Sequence, residues 1–442
     1  MPLFPIKRPL ENPSAMDIIK AYHDDFLERL PELSGNGKTR TRREEAISAF
    51  EASGMPNRRM EGWRYSDLSS LGKRGFESRS APASGPAFVP DKITDWPRLV
   101  FLNGQLVAAE SDPVGDLGVD FLETGEALSG HGWTKDLLEH NDADAFENLN
   151  MAFAEGGFVL RARKGTKIDG IEILFLFEGE ENTVCHVKNM VVLESGAEMS
   201  LLISTDSSKN FGWLNLVNQF VIEKNASLDL YTDFSASSNS LLTSSKTISL
   251  NGGRFNMHSL VLEANSIRHT ITAHIQGEES EISLSGVMLA IGNQTLDILT
   301  RINHKIGHSR SKQCFHAVAA KGGKTAFQGQ VTVDKDAQKT DASQSSKNIL
   351  LDARSEANIK PELIINADDV KCSHGATVGE LDKDALFYLM QRGLAPDEAQ
   401  RMLINAFMSE VIEPIRNDKI RQAFGQRLED RLREVLLETG EL

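Results

Sequence analysis

The chain has 442 residues, of which 40% are hydrophobic and 25% are charged. This composition is typical of a folded protein with two or three domains, or of one elongated repeat structure. The net charge of −15 argues against nucleic acid or an anionic membrane as the main partner. The sequence shows no apolar run of the ~20 residues that span a bilayer, no secretory signal, and only three, widely spaced cysteines. We therefore expect an acidic cytoplasmic protein.

The N-terminal part, residues 1–80, reads as helical. The segment "MDIIKAYHDDFLERL" spaces its apolar residues as a helix does, and Ser14 with Asp17 resembles a capping box. A second helix, "TRREEAISAFEASGMP", is expected to end at Gly54 and Pro56.

Residues 81–169 are predicted to form a linker followed by a mixed α/β segment. The stretch 78–90 is rich in Ser, Ala, Pro and Gly, which is typical of a linker. After it come strand-like "RLVFLNGQLVA" and helical "DAFENLNMAFA".

Residues 170–380 alternate apolar and polar side chains between short turns, as strands do. The turns carry glycines at a constant interval of fifteen residues, namely Gly277, Gly292, Gly307 and Gly322, and the next step falls on Ala337. A regular turn position favours stacked repeat units, hence a β-solenoid. A sandwich of hairpins is the alternative, but it would show frequent Asn-Gly turns, and we find one, Asn251-Gly252. Helical regions at both termini are expected to cover the solenoid ends.

Residues 381–442 are predicted to be a helical domain. The segment "DKDALFYLMQRG" ends at a glycine suited to a helix C-cap, and Pro396 can open the next helix. That helix spaces apolar residues on one stripe, which suits either a core or a docking surface; they are Ala399, Met402, Leu403, Ala406, Phe407 and Val411. A last helix carries Ile420, Phe424, Leu428, Leu432 and Val435.

The stretch "DDVKCSHGATVGELD" places Cys372 and His374 two positions apart. A strand is the better local prediction, and it would turn both side chains to one face. Zinc and iron–sulfur sites normally need about four nitrogen or sulfur ligands. From spacing alone, the other ligands come from distant turns, another subunit supplies them, or no site exists.

This stretch, with "ALFYLMQRGL" and "AQRMLINAFMSEVIE" after it, resembles the SufB/SufD family of iron–sulfur cluster assembly proteins. "MPNRRMEGWRYSDL", "LNMAFAEGGFVL" and "FQGQVTVDKDAQKTDASQSSKNILLD" match it too, so the resemblance covers nearly the whole chain. Gly375 follows the histidine where SufB-type chains commonly have Glu, which favours the SufD branch.

The resemblance implies a mainly β fold, a right-handed parallel β-helix flanked by helical regions. It implies a non-enzymatic scaffold that pairs with a SufB-type paralogue through the β-helix, binds a SufC-type ABC ATPase through its C-terminal helices, and supports iron acquisition. Isolated chains are compatible with a homodimer. Consistent with a separate ATPase, no G-x-x-x-x-G-K-[ST] phosphate-binding loop is present.

The resemblance also assigns residues. His374 matches a histidine that joins a SufB cysteine in holding a nascent cluster or iron at the subunit interface, with none held stably by the chain alone; Cys372 is a weaker candidate. The ATPase contact falls on the helical motif, at Tyr388, Arg392, Gly393, Met402, Leu403 and Phe407.

Other chemistry-bearing residues are expected to be structural or solvated. Cys185 and Cys314 fit buried small hydrophobes. His304, His308 and His316 match no standard ligand spacing. The segment "WRYSDL" suits a docking surface and a packed helix end equally well.

Three rival functions stand beside the scaffold, and the most general of them is an interaction solenoid, which failure to bind any ATPase subunit would favour. A SufB-type paralogue would carry His-Glu in place of His374-Gly375. A β-helix enzyme acting on polysaccharides would need paired carboxylates on one strand face, and two adjacent aspartates cannot supply them.

Overall fold

The computed structural model describes residues 15–66, 77–78, 85–130, 134, 143–207, 212–235 and 240–437. Ser14 of the predicted capping box and residues 79–84 of the predicted linker lie outside these ranges. Within them, no helix is long and apolar enough to cross a membrane.

The helices lie at the two ends of the chain and in one short central segment. They are α1 (Ala15–Arg29), α2 (Gly37–Ser53), α3 (Thr124–Leu128), α4 (Ala145–Phe153), α5 (Lys383–Gln391), α6 (Pro396–Ile412) and α7 (Asp418–Leu437). The predicted helices around α1, α2 and α4 are confirmed, and Gly54 ends α2 with a positive φ of 71°.

Strands fill the rest. They are β1 (Glu77–Ser78), β2 (Arg98–Leu102), β3 (Gln105–Leu106), β4 (Val119–Glu123), β5 (Phe158–Ala162), β6 (Lys167–Phe177), β7 (Thr183–Leu193), β8 (Glu198–Ser207), β9 (Trp213–Ile222), β10 (Ser227–Ser235), β11 (Leu241–Asn251), β12 (Arg254–Glu263), β13 (Ser266–Gly277), β14 (Glu281–Ile291), β15 (Thr295–His304), β16 (Arg310–Ala320), β17 (Lys324–Val333), β18 (Asp341–Leu350), β19 (Glu356–Ile365) and β20 (Lys371–Gly379).

Each strand from β5 onward pairs in parallel with the strand two positions along the chain. From β5 onward, odd-numbered strands form one sheet, called sheet A here, and even-numbered strands form a second, sheet B; β1 and β4 join sheet A, and β2 and β3 join sheet B. The chain alternates between the two, which makes a β-solenoid of about seven turns. The solenoid prediction is therefore confirmed and the sandwich alternative is wrong. Among the described strands, antiparallel pairing occurs only at the N-terminal end, in β2–β3 and β4–β5.

Alternation along each strand fills the interior. In β15, Leu296, Ile298 and Ile302 point into the core between the sheets. Their counterparts in neighbouring coils join one apolar cluster that runs through the solenoid. Each coil therefore buries the inward side chains of its neighbours, which no single coil could do alone.

The glycine interval corresponds to one strand plus one turn. Thr295 pairs with Lys324, an offset of 324 − 295 = 29 residues per coil, close to two intervals. Gly292 and Gly322, at one corner, have positive φ values of 63° and 92°. At the opposite corner a Cβ on Gly307 would lie 2.3 Å from the carbonyl oxygen of Gln338. Successive glycines of the series therefore lie at alternate corners. A positive φ favours glycine at one corner, and the close approach of the neighbouring backbone favours it at the other.

The terminal helices cover the flanks of the solenoid and not its C-terminal end. α4 packs on the outer face of sheet A, against β7 and β9. α6 and α7 pack on the outer face of sheet B, over β12, β14 and β16. The expectation that the C-terminal helices cover the solenoid end is therefore wrong, because their apolar side chains meet the outward apolar residues of sheet B instead.

The "WRYSDL" segment is packed on the core as far as it is described. Trp63 is buried, its ring 5.2 Å from that of Phe146 and 4.7 Å from the Arg268 guanidinium. Asp297 accepts hydrogen bonds from Arg268, at 2.5 Å, and from the Ser66 hydroxyl. This buried ion pair fastens the N-terminal segment to sheet A.

We expect Gly307→Ala to lower the melting temperature, because its Cβ would press on the backbone at Gln338. Overpacking of this kind costs about 1–3 kcal/mol. Gly379→Ala is the matched control, since a Cβ there meets nothing within 4 Å. Equal melting temperatures for the two variants by circular dichroism would contradict the turn assignment.

We also expect stability to fall as pH drops from about 6.5 to about 4. Burial lowers the pKa of His304 and of His258 to about 4, and that of His186 to about 3. The unfolded chain takes up these protons near the ordinary histidine pKa, whereas the folded chain does so only in stronger acid, so acid favours unfolding.

The check is the slope of melting temperature against pH. His304→Asn should give a shallower slope than the unmodified chain. His308→Asn, at an exposed turn residue with a φ of 55°, should leave the slope unchanged. A slope unaffected by His304→Asn would show that this imidazole does not contribute.

Candidate functional site at the C-terminal end of the solenoid

Within the described ranges, each sheet ends in a strand that has one edge without a partner strand. β19 is the last strand of sheet A and β20 the last strand of sheet B. Large apolar side chains are exposed there, with Ile364 at 43%, Ile365 at 41% and Val378 at 49%. An unpaired edge with exposed apolar residues is a template for another strand.

The Cys372-x-His374 stretch lies on β20, as the strand prediction required. Cys372 pairs with Ala342 of β18, and His374 pairs with Gln344. Ala342 and Gln344 are buried residues of the solenoid interior, so both side chains continue inward-facing rows. Because no coil follows, Cys372 is only half-buried and His374 is exposed.

The two side chains differ in readiness to bind metal. Burial raises the pKa of the Cys372 thiol, which disfavours the thiolate that ligates metal. His374 forms no hydrogen bond to any described residue. The described residues include no group of three or more His, Cys, Asp or Glu that could hold a metal ion. The edge therefore offers at most part of a ligand set.

The predicted docking residues of α5 lie on the surface. Tyr388 is 54% exposed, and its hydroxyl accepts a hydrogen bond of 2.6 Å from Arg392, whose guanidinium lies 4.8 Å from the ring centre. Gly393 ends the helix with a φ of 94°. Phe387, 60% exposed, extends the apolar surface.

α6 separates its predicted stripe into two faces. It buries Ala399, Ile404, Met408, Val411 and Ile412 against the solenoid. Met402 is 56% exposed and Ala406 is also exposed, so a purely core interpretation of the stripe is wrong. Leu403 and Phe407 are half-buried at the border between the faces. α7 does bury Ile420, Phe424, Leu428 and Leu432 as expected.

Phe407 connects α6 to sheet B. Its ring stacks on that of His316, with centres 4.5 Å apart and planes at 13°. The backbone carbonyl of Phe407 lies 2.8 Å from His316 Nδ1. Lys347 of β18 also binds Glu410 of the same helix at 2.8 Å. The candidate docking helix is thus fixed to two solenoid strands.

The remaining cysteines and histidines have structural surroundings. Cys185 is buried in the solenoid core, as predicted, and burial raises its pKa to about 12. Cys314 is only half-buried, because it points outward beneath α6. His304 lies within 2.7 Å and 2.9 Å of the Ser309 and Ser311 hydroxyls.

Sequence reasoning missed three features. The exposure of Ile365 and Val378, which continue inward rows, depends on which coil is last, and no local pattern reveals that; Ile364 faces outward from sheet A. Phe387 was visible only as part of a helical motif. Lys246 was detectable, because it shares the period-two phase of Leu242, Ile248 and Leu250 and so points inward with them.

Comparison with known proteins agrees with this architecture. Residues 175–407 match the family described as "SUF system FeS cluster assembly, SufBD core domain". The iron–sulfur cluster assembly protein SufD of Escherichia coli is 27% identical over 95% of this chain and 98% of its own. The chloroplastic protein ABCI7 of Arabidopsis thaliana is 28% identical over 86% and 83%, and SufD of Bacillus subtilis is 25% identical over 69% and 72%. The chain belongs to the SufBD family of SUF-system iron–sulfur cluster assembly proteins.

Proposed function

We propose that the chain is a non-catalytic scaffold subunit that pairs with a SufB-type paralogue and carries a SufC-type ABC ATPase on its C-terminal helices. The observation that carries the proposal is the uncovered end of the solenoid. Two unpaired edges, with Ile364, Ile365 and Val378 exposed beside them, suit continuation of the sheets by a second solenoid. In isolation, a second copy of this chain takes the same place.

His374 is proposed to contribute to a cluster site at that junction. An imidazole can bind iron through one nitrogen, and thiolates from the partner would supply the usual ligands. The exposure of His374 on the last strand supports this role, since the partner can reach it. The nascent cluster or iron is cargo, held only while the partner is present.

Cys372 is proposed as a lesser contributor. Its thiol packs partly against the solenoid core, and its raised pKa keeps it protonated. A ligand role would require the partner to supply positive charge or metal that lowers this pKa.

The ATPase surface is proposed to consist of the exposed part of α5 and the outer face of α6. Tyr388, Arg392, Gly393 and Met402 supply apolar and cationic groups there. Leu403 and Phe407 border it. Aromatic, methionine and arginine side chains are enriched in the centres of protein interfaces, which supports the assignment.

We predict that His374→Ala leaves folding and complex formation intact but abolishes cluster assembly. The side chain is exposed and makes no hydrogen bond to a described residue, so its removal orphans no described partner. The melting temperature, co-purification with SufB- and SufC-type partners, and maturation of iron–sulfur enzymes in cells would be measured together.

Cys372→Ser is the companion variant and should have a milder effect on maturation. Ser373→Ala, on the opposite phase of the same strand, is the control. Full maturation in cells that carry only His374→Ala would show that the histidine is not a ligand.

We predict that Tyr388→Ala combined with Met402→Asp abolishes ATPase binding without unfolding the chain. Both side chains are more than half exposed, so the core of the helical domain keeps its contacts. Removal of all three helices is less informative, because it would uncover the apolar outer face of sheet B.

Binding would be measured by co-purification and by surface plasmon resonance against the ATPase. Gln422→Asp, at an exposed position of α7, is the control. ATPase binding that survives the double variant with unchanged affinity would place the contact elsewhere, while the solenoid-edge proposal would be unaffected.

A further inference from the structure

A row of polar side chains runs through the otherwise apolar interior of sheet A. Asn189 of β7, Asn218 of β9 and Lys246 of β11 are adjacent in register and point inward. Each is 1% exposed. The same strands supply mostly Val, Leu, Ile and Phe to the interior, so three consecutive polar residues in one row are exceptional.

Hydrogen bonding fixes the direction of this row. The backbone N–H of Phe158 donates to Asn189 Oδ1 at 3.0 Å. Asn189 must therefore present its amide nitrogen to the next strand, where it donates to Asn218 Oδ1 at 3.0 Å. Asn218 is left with its Nδ2 group unsatisfied on the side of the row that continues to Lys246.

Lys246 adds more donors and no negative charge. Its Nζ lies 2.7 Å from His269 Nε2 and 3.3 Å from the Ser244 hydroxyl, and 4.6 Å from the ring centre of Phe234. No carboxylate among the described residues forms an ion pair with it. Burial holds the pKa of Lys246, and that of His269, well below the ordinary values. His269, 0% exposed, has an unsatisfied Nδ1.

We propose that Lys246, His269 and Asn218 form a binding site for a small monoanion inside the solenoid, of the size of chloride or hydrosulfide. The amine and the Asn218 amide are donors, and no described acceptor satisfies that amide. A monoanion would accept hydrogen bonds from these donors, and its charge would favour protonation of the Lys246 amine, which burial alone disfavours. Close packing of the interior limits the ligand to one atom or two.

The site is independent of the proposed partner surfaces. Lys246 and His269 lie on central strands, whereas the uncovered edge begins at β19. Partner binding can therefore be measured independently of anion binding. The three side chains of the site are buried from solvent. The ligand would therefore enter during folding or by local opening of the coils.

Crystals of the full chain grown in sodium bromide test the proposal directly. We expect an anomalous bromine peak within hydrogen-bonding distance of Lys246 Nζ. Lys246→Met should remove the peak, and Lys312→Met, which removes an exposed lysine, should retain it. The absence of a peak in the unmodified chain, or its persistence in Lys246→Met, would overturn the proposal.

Thermal melting supplies a second readout in solution. At constant ionic strength set with sodium gluconate, added bromide or chloride should raise the melting temperature of the unmodified chain but not that of Lys246→Met. An equal response of both would overturn the site. In the crystals, a parallel anaerobic series with added hydrosulfide distinguishes the two kinds of anion. Loss of the bromine peak would show that hydrosulfide and halide share the site, whereas retention of the peak would assign the site to halide.

Asn218→Asp keeps the test decisive if Lys246→Met does not fold. Its carboxylate can still accept from Asn189 and would place a permanent counter-charge beside Lys246. We expect this variant to melt higher than the unmodified chain in gluconate, to lose its response to halide, and to exclude bromide. A lower melting temperature with bromide still bound would overturn the proposal.

Discussion

Parallel backbone pairing between strands two apart along the chain is the constraint on which the rest of this structure depends. It forces a turn between the sheets after every strand. Glycine is favoured at some corners, because at Gly307 the neighbouring coil passes too close for a Cβ and at Gly322 φ is positive, although His308 and Glu279 also adopt positive φ. It also means that each coil pairs the backbone of the next, so in the described part of the chain the outer edges of β19 and β20 have N–H and C=O groups with no strand partner. The place where pairing stops is the place where a partner can continue it.

The architecture and the strand that carries His374 could be predicted from the sequence, because both follow from local periodicity and from turn residues such as Gly292. The exposure of side chains at the solenoid end could not be predicted in this way. Ile365 and Val378 continue the inward rows that contain Val333 and Ala317, and they are exposed because no further described coil follows them. The same limit applies to α6, where Met402 and Met408 are both apolar at helical spacing, and only the position of sheet B decides which of them is buried.

The solenoid places apolar side chains in solvent at its edge and polar side chains among apolar ones in its interior. At the edge, apolar side chains meet solvent; in the interior, Lys246 and His269 meet apolar walls. A buried ammonium without a carboxylate is unfavourable by several kcal/mol, which is why burial lowers the pKa of Lys246, and the core around it otherwise consists mostly of hydrophobic residues. Stability alone does not account for a lysine at this position, and that is the reason to assign it a ligand.

The positions of the C-terminal helices relate the two proposed surfaces to each other. The proposed ATPase surface reaches the proposed partner edge at α5, which begins four residues after β20 ends, whereas its α6 part lies on the flank over β14 and β16. The helix is nevertheless tied to the strands that lead to the edge. His316 of β16 stacks on Phe407, and burial lowers the pKa of its imidazole, so the neutral ring donates Nδ1–H to the Phe407 carbonyl. Lys347, which binds Glu410, belongs to β18, the strand that pairs with β20. Movement of α6 on ATPase binding would therefore act first on β16 and β18, and through β18 on the strand that carries His374.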